Sequence, residues 1–242
     1  MAAAGGAAGA SNALAGAGSL ITFPTLVALG VPPLSANVTS TVGLIPGAAG
    51  GAIGYADLLG EQRQRVARLA VPTLLGAVAG TALLLITSND TFEAIVPALV
   101  AGSCLLLLLQ PRLTPRLASA GDERSPLLTA GLLFSGAYAA YFGSAVGILL
   151  LALLGLFVAD SMQHLNGLKI LLAGIANLLA AIAYAFFAAV DWRFAVCLMA
   201  SSLVGGRLGA KLARRVDGDV LRVAIAVVGL FVAAALAWRA FG

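Results

Sequence analysis

Long uncharged stretches separated by short charged connectors organise the chain. No Asp, Glu, Lys or Arg precedes Asp57, and further uncharged runs cover 69–89, 94–111, 125–159, 170–190, 194–206 and 223–238. A helix needs about 20 apolar residues to cross the ~30 Å hydrocarbon of a bilayer. Single spans therefore fit at 38–59, 69–87, 92–110, 166–190, 193–210 and 220–240. Two stretches, 1–30 and 127–158, do not fit one straight crossing. Glycines interrupt both, at Gly16-Ala17-Gly18 and at Gly143-Ser144-Ala145-Val146-Gly147. Each reads as two short helices, either a re-entrant hairpin or a tilted pair.

The connector at 110–126, rich in proline and charge, divides this pattern into halves that repeat. An offset of 129 pairs Asn37 with Asn166, Tyr55 with Tyr184, Gly76 with Gly205 and Gly80 with Gly209. Upstream, an offset of 125 pairs Gly18 with Gly143 and Gly30 with Gly155, and one four-residue gap reconciles the two. The expected organisation is a first transmembrane repeat over 1–113, a cytoplasmic linker over 114–125 and a second repeat over 126–242. Positive charge sets the orientation. Arg63, Arg65 and Arg68, then Arg112, Arg116 and Arg124, then Arg207, Lys211, Arg214, Arg215 and Arg222 fill three connectors, whereas 87–93 has no Lys or Arg and 190–193 has only Arg193. The first three belong in the cytoplasm and the last two outside. The repeat-equivalent connectors 87–93 and 207–222 then fall on opposite sides, which predicts inverted-topology repeats with both termini outside. The fold class expected is an all-α polytopic membrane protein whose repeats each combine a glycine-broken helical hairpin with three transmembrane helices.

Composition supports the membrane and narrows the chemistry. Apolar residues make up 61% of the 242 and charged residues 10%, and mean hydropathy is +1.03. So few charges cannot cover a water-soluble surface. The net charge of +4 comes from connectors between apolar runs, so it reads as cytoplasmic loops and not as a nucleic-acid face. Met1–Ala10 lacks the basic region of a cleaved signal peptide. Cys104 and Cys197 lie inside apolar runs with no CxxC partner and read as small buried residues. His164, the sole histidine, has no zinc-spaced partners and suits a connector or gating role. No Walker lysine loop, catalytic triad or buried carboxylate pair appears, so neither an enzyme nor a cofactor is expected. The acids Asp57, Glu93, Asp160 and Asp191 all sit at predicted span ends.

An ionisable group within a span is a functional candidate, because it costs several kcal/mol unless paired or hydrated. Lys169 stands clear of the connectors, three residues after Asn166 on the same helix face. Asn177, eleven residues past Asn166, lies about 20° round from it at 3.6 residues per turn. The stripe thus carries two amides and an ammonium, although a lysine so near a helix start can also snorkel to the interface. In the first repeat Asn37, Ser40 and Thr41 share a face, with Ser40 matching Lys169. Thr39 points elsewhere and can bond its own i−4 carbonyl. After Gly18 and Gly143 the chain can restart as helices at Ser19 and Ser144. Helix starts offer unpaired N–H groups and partial positive charge, which suit an anion. The other use of such glycines is close helix packing, as expected for 47–54.

These residues carry a family resemblance. The stretch GAGSLITFPTLVALGVPPLSANVTSTVGLIPGAAGGAIGY resembles the glycine-rich entry of the sulfite exporter TauE/SafE family, with Gly16, Gly18 and Pro24 in register and Ser19 where a third glycine is commonest. YFGSAVGILLLALLGL followed by LNGLK is similar to the family's second copy, including Asn166 and Lys169, and VDW at 190–192 and GGRLGAKLARR at 205–215 also fit. The resemblance spans nearly the whole chain. It implies a secondary transporter in the bacterial cytoplasmic (inner) membrane that moves sulfite, an organosulfonate or a related small organic anion. The expected binding set is Ser19, Asn37, Ser40, Thr41, Ser144, Asn166, Lys169 and Asn177, near the midplane between the repeats, with Asn37 and Asn166 as equivalent donors. Its partners are the anion and the lipid bilayer, with no nucleic acid and no metal; a homodimer is compatible. An anion channel of the same architecture and a non-transporting membrane scaffold subunit stay open as alternatives.

Overall fold

The computed structural model describes residues 1–15, 17–53, 55–60, 62–113, 122–212 and 218–241, and every regular element among them is helical. In chain order these are α1 (Ala2–Ala15), α2 (Ser19–Ala28), α3 (Pro33–Ile53), α4 (Ala56–Gly60), α5 (Arg63–Ile86), α6 (Asn89–Leu113), α7 (Pro126–Tyr141), α8 (Val146–Phe157), α9 (Met162–Phe187), α10 (Trp192–Leu212) and α11 (Gly218–Phe241). Three helices, Arg63–Ile86, Asn89–Leu109 and Met162–Phe187, are long and apolar enough over their described residues to cross a membrane. Both glycine-broken stretches form helix pairs, α1–α2 and α7–α8, as the sequence predicts. The span expected at 38–59 differs: α3 ends at Ile53, and α4 is a separate short helix.

Backbone glycines decide how closely the helices approach. Gly76 and Gly80 of α5 lie against the backbone of Leu133 and Ala137 in α7, and Gly136 of α7 lies against Thr73. A matching seam joins α1 to α10, where Gly9 meets the Ser202 backbone and Gly205 meets Gly6. Small residues permit such approach in a membrane, where association depends on packing and not on expelling water. The outward face of α5 is correspondingly apolar and exposed, at Val71, Leu75, Val78 and Leu83. The remaining packing follows the same scheme: α3 against both α9 and α10, α9 against α5, and α6 against α11.

Charged and polar contacts locate the ends of the bundle. Glu123, just before α7, and Asp160, just after α8, both pair with Arg65 at the start of α5, at 2.7 and 2.6 Å. The α7–α8 hairpin therefore leaves from and returns to the end of the bundle where α5 begins. The end of α2 shares a surface basin with 189–194, at the start of α10. Asn89, after the end of α5, lines a second basin together with Phe187–Ala189. The α2 end and the α8 end thus lie at opposite ends of the bundle. The hairpins meet in the interior, where Phe23 packs edge-on against Phe142 with ring centroids 5.5 Å apart.

Candidate functional site

The site forms where the two hairpins turn. In the first, Asn12 near the end of α1 accepts the Gly18 N–H on its Oδ1 at 3.2 Å, and α2 starts at Ser19. The Leu20 and Ile21 N–H groups are already donated to the Ala17 and Gly18 carbonyls, so this helix start has fewer open donors than its sequence suggests. In the second, Gly143 has φ +72° and a side chain there would strike the Ala139 carbonyl oxygen at 2.7 Å, so the turn requires glycine. Ala145 follows with φ +59°, and α8 begins at Val146 and not at Ser144. A left-handed alanine costs about 1–2 kcal/mol, and the surrounding packing holds it. The Ser144 carbonyl is fixed by the Tyr138 hydroxyl at 2.9 Å and Ser103 Oγ at 3.2 Å. Its side chain faces the other hairpin: Ser19 Oγ and Ser144 Oγ are hydrogen-bonded at 3.0 Å.

Between these turns, α3 and α9 enclose a cavity of about 60 Å³. Its polar lining comes from Asn12, Ser19, Thr41, Lys169 and Asn177. Lys169 is 3% exposed, which excludes the snorkelling alternative, since a snorkelling ammonium stays wet. Its Nζ donates to Asn166 Oδ1 at 2.9 Å, and among the described residues no carboxylate lies within ion-pair distance of it. An ammonium is thus held dry at a cavity wall by a neutral amide alone.

The other expected site residues divide into cavity-lining and supporting positions. Asn166 orients Lys169. Asn37 Nδ2 donates to the Tyr141 carbonyl at 2.8 Å, tying α3 to the end of α7. Ser40 hydrogen-bonds the Thr22 hydroxyl of α2. Thr41 lines the cavity while its hydroxyl proton goes to the Asn37 carbonyl at 3.0 Å. Asn177 lines the cavity with its Oδ1 toward Gly143. Asn37, Ser40, Ser144 and Asn166 are not among the residues lining it. Thr39 accepts the Asp191 N–H at 2.9 Å and so fastens α3 to the loop before α10. Asn12 was not picked out in the sequence. The available signal was a lone amide in an otherwise apolar stretch, six residues before a glycine break.

At the end where α5 begins, Asp160 is the hub of a charged cluster. It accepts from Arg65 Nη1 at 2.6 Å, Gln62 Nε2 at 3.1 Å and the Ser161 N–H at 2.7 Å, and its Oδ1 is 2.6 Å from His164 Nδ1. Burial pushes the Asp160 carboxyl up, but the Ser161 N–H, His164 and Arg65 outweigh it and hold the group below the ordinary carboxylate range. His164 lies in the first turn of α9, where the Ser161 side chain caps its N–H.

Comparison with known proteins bears on what such a site serves. The family profile described as "Sulfite exporter TauE/SafE" matches residues 1–236. A "Probable membrane transporter protein" of Haemophilus influenzae is 25% identical over 94% of this chain and 89% of its own length. "Probable membrane transporter protein YfcA" of Escherichia coli K12 is 25% identical over 97% of this chain and 87% of its own. "Probable membrane transporter protein ORF9" of Sinorhizobium sp is 25% identical over 93% and 87% respectively. No solved structure matches the chain.

Proposed function

The chain belongs to the sulfite exporter TauE/SafE family of membrane transporters, and from that premise we propose that it is a secondary transporter moving sulfite, an organosulfonate or a related small anion across the bacterial cytoplasmic membrane. The anion binds in the cavity between the hairpin turns, α3 and α9. One observation carries this reading: Lys169, 3% exposed, meets the cavity with no carboxylate partner among the described residues. A desolvated charge left uncompensated is costly, and an anion entering the cavity supplies the missing charge.

The cavity lies between two repeats of opposite orientation, 1–113 and 126–242, joined by 114–125, which lies largely outside the described residues. Matching contacts support this arrangement. α1 packs on α10 as α7 packs on α5, α2 on α3 as α8 on α9, and α2 touches α11 as α8 touches α6. Exchanging the first-half helices for their second-half counterparts reproduces these contacts. The opposite placement of the α2 and α8 ends agrees with it. Alternating access then follows from rocking one repeat against the other around a fixed site.

The test is flux in proteoliposomes against a panel of sulfite, thiosulfate, sulfoacetate, taurine and small carboxylates, with wild type and Lys169→Gln compared at equal reconstitution. A charge-assisted hydrogen bond is worth about 1.5–3 kcal/mol, so the variant should bind the transported anion about ten- to a hundredfold more weakly. Unchanged affinity in folded Lys169→Gln would sink the assignment.

A further inference from the structure

We infer that the cavity is built for a small organic monoanion with a short apolar tail, in preference to an inorganic dianion. The inference rests on the reading of this cavity as the anion site and narrows it by charge, polarity and size.

Charge comes first. Among the described residues Lys169 is the one charged residue lining the cavity, and it is also the one charged residue among their buried polar groups. A single buried positive charge balances one negative charge; a dianion would leave the second uncompensated in a low-dielectric site. The first helix start does not make up the difference, because Leu20 and Ile21 have already donated their N–H groups to Ala17 and Gly18.

Polarity comes second. The Asn12 carbonyl is engaged by Gly18, leaving its amide N–H₂ as a donor. The Thr41 proton is spent on the Asn37 carbonyl, so that hydroxyl offers an approaching anion lone pairs only. Ser19 and Asn177 are the other polar residues of the lining, and the rest includes Leu44, Ile45, Phe142, Val146, Ile170 and Ala173, none with a side-chain donor. An oxyanion such as sulfate presents acceptor oxygens in every direction, and apolar walls cannot answer them. An anion with one charged head and a hydrocarbon tail matches both parts of the lining.

Size comes third. At about 60 Å³ the cavity is smaller than the roughly 150 Å³ that takes a benzene ring. That space suits an acid head with a tail of one or two carbons. Gly174 lines the cavity, and a side-chain carbon built there meets no protein atom within 4 Å, so an added methyl group occupies open space.

The experiment is calorimetric titration of the purified full-length protein in nanodiscs with sulfate, methanesulfonate, ethanesulfonate, butane-1-sulfonate and ethane-1,2-disulfonate. Sulfate and methanesulfonate have the same size and shape, differing by an oxygen charge against a methyl group. Methanesulfonate should bind at least tenfold more tightly than sulfate, and ethanesulfonate roughly fourfold more tightly again, the value of one buried methylene. Butane-1-sulfonate and the disulfonate should both lose affinity. Gly174→Ala, which displaces no protein atom, should weaken ethanesulfonate severalfold more than methanesulfonate. Sulfate binding as tightly as methanesulfonate, or affinity that ignores tail length, overturns the inference while leaving an anion site that depends on Lys169. If no probe binds to folded protein, the anion reading itself falls, and this inference with it.

Discussion

Replacing Gly76 by alanine tests the packing that positions the second hairpin. A methyl group there would overlap the Leu133 carbonyl oxygen, and would lie 2.8 Å from the Leu133 carbonyl carbon and 3.0 Å from the Ala137 nitrogen. Each of these is backbone, so no rotamer change relieves the contact and α5 must move away from α7. Overpacking of this kind costs about 1–3 kcal/mol. Alanine also gains about 0.5–1 kcal/mol over glycine within a helix, so the control must carry the same gain. Gly102→Ala on α6 serves, because its added carbon meets nothing within 4 Å. In the comparison the helix gain cancels, leaving Gly76→Ala less stable than Gly102→Ala by about 1–3 kcal/mol. Unfolding in mixed micelles with increasing SDS, followed by the fluorescence of Trp192 and Trp238, measures this difference. Gly136→Ala strikes the Thr73 backbone across the same seam. The double variant should therefore fall short of additivity, since one displacement of the helices relieves both contacts. Equal stability of Gly76→Ala and Gly102→Ala would refute the reasoning.

Asn37→Ala should remove about 1–3 kcal/mol of stability by leaving the Tyr141 carbonyl without its donor, with little effect on anion affinity. Asn166→Ala should change affinity, because it takes away the Lys169 acceptor; matching profiles in unfolding and binding assays would restore the equivalent roles expected from sequence. Because the Asp160 carboxyl is held below its ordinary value, its stabilising contribution is complete above about pH 4 and is lost as pH falls through the lower folded-state value. Melting temperatures recorded from neutral to acid pH should show this limb in wild type and lose it in Asp160→Asn; an unaltered limb would mean that another group carries it. A cysteine at Ser88 should react with impermeant reagent only from outside the cell, and one at its repeat equivalent Asp217, which lies outside the described residues, only from inside. Labelling of both from one face would refute the opposed repeats.

The hydrophobic pattern alone determined that this chain is helical and membrane-embedded, and where most helices begin and end. Span length and charge placement are local consequences of bilayer thickness and of the cost of burying charge, so they are written along the chain. The two broken hairpins were legible for the same reason, because glycine pairs interrupt otherwise continuous apolar runs. Lys169 was legible as an ionisable group inside a span. Tertiary structure alone decided which polar groups reach the cavity. Asn37 and Asn166 match in sequence, yet one binds the Tyr141 carbonyl and the other Lys169, because hydrogen-bond partners are set by the neighbouring helix and not by position in a repeat. Asn12 entered the site only because α1 folds back over the Gly18 turn. The start of α8 moved from Ser144 to Val146 because Gly143 and Ala145 take left-handed conformations, which the packing of the turn imposes and local sequence preference does not.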